Sequence, residues 1–130
     1  MIGLDRLFLG AMLLVLLAFP MGMRADDALS ERQKIEALIE RLEGLKDGVF
    51  VRNGQAYDAK AAGQFIRSRW KSREREIKTA ADFIEKAASV SSTSGKPYLI
   101  RFKDGREVES GTFLRDELKK IEGEDSPSSR

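Results

Sequence analysis

Residues 79–98, T-A-A-D-F-I-E-K-A-A-S-V-S-S-T-S-G-K-P-Y, leave the chain few ways to fold. Thr79 with Asp82 three places on forms a capping box in which Asp replaces the usual Glu or Gln, so a helix begins here. Ala80, Phe83, Ile84, Ala87 and Ala88 recur at helical spacing and give it one apolar face. The alanines let that face approach a neighbour closely. The helix runs into a loop, residues 89–94, that carries five hydroxyl side chains, and Gly95-Lys96-Pro97 leads out of it. Tyr98 to Phe102, Y-L-I-R-F, is the strongest strand signal in the chain. Asp104-Gly105 marks a hairpin turn. Glu107 to Ser110 returns from it and is polar except for Val108, the pattern of an edge strand.

Around this unit the other elements follow in order. Ser30 with Gln33 is a second capping box, opening a helix over 30–45 whose stripe is Ile35, Leu38, Ile39, Leu42 and Leu45. Val49 to Val51 and Gln55 to Tyr57 flank Asn53-Gly54, the strongest two-residue signal for a type I′ turn. Strands this short leave a turn packed on helices as the alternative to a hairpin. Asp58 caps a helix over 59–72 with Ala62, Phe65, Ile66 and Trp70 as its buried face. Its basic end suits a helix C-terminus. A last helix over 113–121, capped by Ser110 or Thr112, turns Leu114, Leu118 and Ile121 inward. The expectation is a single α+β domain of four helices and a small antiparallel β-sheet, its main hairpin at about 98–110.

The chain has 130 residues, which suits one domain. Leu7 to Phe19 is an almost unbroken apolar run, too short for a membrane span of about 20 residues. Arg6 precedes it, and Pro20 and Ala25 follow it, the order of a secretory signal peptide. The expected divisions are a signal peptide at 1–25, a loose N-terminus at 26–29, the α+β domain at 30–121 and a disordered polar tail at 122–130. Contact with a membrane is expected only through the signal peptide during export.

Two absences exclude more chemistry than any motif supplies. There is no cysteine and no histidine. Disulfides, thiolate chemistry and the usual zinc sites are therefore ruled out. Acid–base catalysis at neutral pH would need a carboxylate or lysine with a strongly shifted pKa. No metal or cofactor is expected. The formal charge of +2 at 34% charged residues also lacks the cationic excess of a nucleic-acid binder.

The candidate ligand-binding residues are Arg52, Asn53, Tyr57, Ser91, Ser92, Ser94 and Lys96. Hydroxyls, loop amides and the Lys96 charge form a set able to hold a small anion. The Gly-Lys ending is no P-loop, because the helix precedes the loop and turns its negative end toward it. The competing reading is that the serines satisfy helix-end carbonyls and loop amides, that Asn53 is present for its tolerance of positive φ, and that Tyr57 is packing. Trp70 reads as core more readily than as a ligand platform. A Ser94–Lys96 dyad lacks the helical spacing that aligns such pairs. No catalytic residue is assigned.

Phe50-Val51-Arg52-Asn53-Gly54 with Tyr57 resembles the first signature of a family of small exported bacterial proteins classed as a domain of unknown function. The pattern continues through Ala61-Ala62, Trp70, Thr79-Ala80 with Asp82-Phe83-Ile84, and Ala88-Ser89 with Ser91-Ser92. It ends with Ser94-Gly95-Lys96-Pro97-Tyr98 and Asp104-Gly105. The likeness spans about Ile35 to Ile121. It departs at Arg69, where the family pattern has lysine, and near Leu114, where it often has tryptophan. The resemblance implies a periplasmic or secreted location and carries over no activity. The resulting expectation is a non-enzymatic module for an envelope partner protein or a small anionic ligand. A cell-envelope hydrolase working through carboxylates stands as the alternative.

Overall fold

The computed structural model describes residues 29–125, and the expected signal peptide lies outside them. Four helices and four strands follow in the order α1 (Glu31–Glu43), β1 (Gly48–Arg52), β2 (Gln55–Tyr57), α2 (Ala59–Ser72), α3 (Ala80–Ala87), β3 (Leu99–Phe102), β4 (Glu107–Glu109) and α4 (Ser110–Asp125). The class is the expected one, a single α+β domain. The predicted caps of α1, α2 and α3 are formed. Ser30 and Gln33 exchange capping-box bonds, as do Thr79 and Asp82, and the Asp58 side chain accepts from the Ala61 amide.

The sheet is antiparallel with order β2-β1-β3-β4. The segment around Asn53-Gly54 is therefore a true hairpin, and its first strand is central. Phe50 pairs with Tyr57 on one side and Ile100 on the other, and Ile100 pairs in turn with Val108. Strand alternation puts these residues on one face. That face meets Ile35, Leu38, Ile39 and Leu42 of α1, Ile66 and Trp70 of α2, Phe83 and Ile84 of α3, and Leu114 and Ile121 of α4 in a single buried cluster. The opposite face carries Val49, Val51, Leu99, Arg101, Glu107 and Glu109.

α4 is longer than the expected 113–121 at both ends and takes in the head of the expected polar tail through Asp125; residues 126–130 lie outside the described residues. Its first residue does not cap through its side chain. Ser110 is fully buried, its amide donates to the Tyr98 carbonyl at 2.8 Å, and its Oγ has no partner. A buried hydroxyl without a bond costs about 1–3 kcal/mol in desolvation. Ser110→Ala is accordingly expected to leave the unfolding midpoint unchanged or raise it, by up to about 1 kcal/mol, as read by urea denaturation.

α4 is tied to α1 by charge. Arg41 Nη1 donates to Glu117 Oε1 at 2.8 Å and Lys34 Nζ to Glu122 Oε2 at 3.0 Å, while within α4 Lys120 Nζ donates to Glu117 Oε2 at 2.9 Å. Burial raises the Glu117 pKa, but the bonds from Lys120 and Arg41 outweigh it and the carboxyl ends below its ordinary value of 4.5. A carboxyl depressed on folding stabilises fully above its unfolded value, and that stability is lost as pH falls through the lower folded value. Melting temperature should fall below about pH 4.5, and Glu117→Gln should flatten that fall.

Candidate functional site

The hairpin tip and the serine loop meet. The type I′ turn needs positive φ at both central residues, and Asn53 has φ 51° and Gly54 φ 80°. This aims the Asn53 amide at residues some forty positions away. Asn53 Nδ2 donates to Ser91 Oγ at 3.3 Å, and Ser94 Oγ donates to Asn53 Oδ1 at 2.6 Å. Ser91 is buried, and its Oγ also accepts from the Thr93 amide at 3.3 Å and stands 3.0 Å from Thr93 Oγ1. The Ser91 amide donates to the Lys96 carbonyl at 2.9 Å, and the Lys96 amide to Ser94 Oγ at 3.2 Å. Val90 and Pro97 pair across the loop base.

The end of α3 is closed by the same group of residues. Ser89 Oγ donates to the Ile84 carbonyl at 2.6 Å. Arg69 Nε donates to the Ala87 carbonyl at 2.9 Å, its Nη2 to the Lys86 carbonyl at 3.1 Å and its Nη1 to Ser92 Oγ at 3.2 Å. The planar fork of arginine serves three acceptors at once, which is what this position gains over lysine. Ser91, Ser92, Ser94 and Asn53 thus each make a bond within the fold, while Ser92 and Ser94 remain exposed. The Lys96 side chain stands exposed at the loop rim.

Arg52 and Tyr57 lie on the helix-facing side of the same hairpin and line a different space. A cleft of about 400 Å³ opens between β1, β2 and α2, lined by Phe50, Arg52, Tyr57, Gln64, Phe65 and Ser68 together with Ala61 and Ala62. The Arg52 guanidinium carbon lies 4.4 Å from the Phe65 ring centre and 5.5 Å from that of Tyr57. Such stacking fixes the guanidinium plane and leaves its N–H edge for bonding. Yet Arg52 Nε is buried with no hydrogen-bond partner. Among the described residues, Arg41 and Arg67 are bonded to carboxylates, Arg73 to a carboxylate and a backbone carbonyl, and Arg69 to backbone carbonyls and Ser92. Arg52 is half-buried like them and has no such acceptor.

Behind the cleft Phe50, Phe65 and Tyr98 form an aromatic triad, with ring centres 5.1 Å apart for Phe50–Tyr98 and 5.7 Å for Phe65–Tyr98. Burial raises the Tyr98 pKa against the pull of the Arg69 and Arg52 charges, so the phenol is neutral at physiological pH. The cleft therefore combines aromatic walls, one unspent cation and the neutral polar groups of Gln64 and Ser68. Such a lining is chemically suited to an anionic head on an apolar body. The described carboxylates whose pKa shifts, Glu31, Glu76, Asp82 and Glu117, all shift downward, and none has the raised value an acid catalyst needs. Glu107 and Glu109 are exposed on the open face of β4. No group of three or more acidic side chains poised to hold a metal occurs among the described residues.

Sequence reasoning assigned Phe65 to the buried stripe of its helix and passed over Gln64 and Ser68. Ala61, Gln64, Phe65 and Ser68 fall at i, i+3, i+4 and i+7, a second stripe beside the buried one. Trp70 is core, edge-on to Phe83 at 6.1 Å. Among the described residues no helix is long and apolar enough to cross a membrane.

The model of a family of unknown function, DUF5329, matches residues 29–122. The chain is also similar to the uncharacterized protein YfeK of Salmonella typhimurium, 41% identical over 68 residues, which cover 52% of this chain and 57% of that protein. The chain thus spans little more than half the length of that curated relative. No solved structure matches.

Proposed function

The chain belongs to this family of unknown function, and from that premise we propose that it is an exported, non-enzymatic binding module whose cleft between β1, β2 and α2 takes the anionic group of its ligand on Arg52. One observation carries the reading: a guanidinium stacked between two rings, half-buried, with no acceptor of its own. A half-buried guanidinium without an acceptor costs stability, and a carboxylate or phosphate in the cleft would give its terminal N–H groups one. The apolar run at residues 7–19, with Pro20 and Ala25 after it, supports delivery to the periplasm or the medium. The serine loop then has the supporting role of fixing the hairpin that carries Arg52.

The test is titration of the purified protein with sodium benzoate and with inorganic phosphate, followed by NMR of the arginine Nε–H signals. The Arg52 signal should move with a saturable curve. Arg52→Ala should weaken binding about tenfold or more, about 1.4 kcal/mol, and Lys96→Ala should leave it unchanged. Equal binding by wild type and Arg52→Ala would overturn the assignment, and loss on Lys96→Ala alone would move the site to the loop.

A further inference from the structure

The two edges of the sheet differ. β4 ends it with Glu107 and Glu109, both exposed, and Glu107 is paired with Arg101 at 2.8 Å. Charges placed this way discourage another strand from adding. β2, the other edge, reads Gln55-Ala56-Tyr57 and carries no charge. It also forms the rim of the Arg52 cleft.

The register says which backbone groups face outward. Arg52 and Gln55 close a two-residue turn and are the hydrogen-bonded pair, so Val51 and Ala56 form the next, non-bonded pair. Ala56 therefore turns its N–H and C=O away from β1. Among the described residues it makes no hydrogen bond outside the hairpin. An unguarded donor and acceptor thus lie beside an unspent guanidinium.

We infer that the ligand is the C-terminal end of an extended polypeptide, which adds to β2 as a fifth strand and places its terminal carboxylate on Arg52. The inference rests on the assignment of Arg52 as the anion anchor. The guanidinium lies against the Tyr57 and Phe65 rings, so the terminal carboxylate of the added strand sits beside these rings. Side chains on the helix-facing side of the added strand enter the cleft between Tyr57, Phe65 and Gln64, whose walls favour an apolar residue. Backbone bonds then supply affinity and the cleft supplies side-chain choice, as in strand addition generally.

The probes are an acetylated tetrapeptide ending in leucine with a free carboxylate, the same peptide as a C-terminal amide, and a version N-methylated at the residue that faces Ala56. The free acid should bind at least tenfold more tightly than either analogue and should slow exchange of the Ala56 amide. Ala56→Pro removes an N–H that the β1–β2 ladder does not use. It should weaken peptide binding about tenfold while benzoate still binds, and that retained binding also shows that the variant is folded. Equal affinity for the acid and the amide, or for the N-methylated peptide and its parent, overturns the inference. If benzoate binds through Arg52 and the peptide does no better, only the strand-addition inference fails. If neither binds, the anion-anchor reading fails with it.

Discussion

Phe83→Ala should destabilise the protein by about 3–5 kcal/mol, the range for removing a large buried ring. Phe83 is fully buried and meets Trp70 edge-on at 6.1 Å. It lies on α3, whose neighbouring side chains Ala80, Ala87 and Ala88 are too small to close the space the ring leaves. Cavity cost is highest where the surroundings cannot collapse. For a domain of this size, with a total stability of about 5–15 kcal/mol, such a loss brings the folded state close to the limit of persistence. Urea denaturation measures it directly. A loss below about 1 kcal/mol, the scale of surface substitutions, would mean that α3 does not present this face to the core.

Asn53→Gly should cost about 2 kcal/mol. Glycine keeps the positive φ the turn requires, so the backbone can stay as it is. What disappears is the pair of side-chain bonds to Ser91 and Ser94, at roughly 0.5–1.5 kcal/mol each. Added chain entropy in the unfolded state contributes several tenths more. Combining Asn53→Gly with Ser94→Ala should give less than the sum of the two losses, because they remove a shared bond. Strict additivity would mean that the Asn53–Ser94 bond carries no energy. The experiment also bears on function. If the clasp orients the hairpin, Asn53→Gly weakens anion binding at Arg52 although Asn53 is absent from the cleft lining.

The helices were legible because their starts are written locally. Ser30 with Gln33, Asp58, and Thr79 with Asp82 each place an acceptor within reach of amides three residues on, and no distant contact is needed to make that bond. Ser110 shows the limit of the same argument. It has the residue type of a cap, but its amide is taken by Tyr98, twelve positions away, and its hydroxyl is shut in the core. The central position of β1 was not legible either, since alternation along a strand gives its faces and not its neighbours. The candidate site divides for a related reason. Arg52 and Tyr57 are on the cleft side of the hairpin, whereas Asn53, Ser91, Ser92 and Ser94 are bonded to partners remote in sequence. A hydroxyl's choice of acceptor depends on what the fold brings near it, and a run of serines does not encode that choice.

The strand order has a kinetic consequence. β1 pairs with β3 from Gly48↔Phe102 to Val51↔Leu99, so the middle of the sheet joins segments about fifty residues apart, with α2 and α3 between them. Closing a loop of that length costs entropy before any pairing repays it. Until β3 is present, β1 has only the three-residue β2 beside it, and the apolar stripes of α1 and α2 have no completed sheet to cover. The expected order is therefore late and concerted, with the hairpin that carries Arg52 taking its place at the step that buries Phe50 against Ile100.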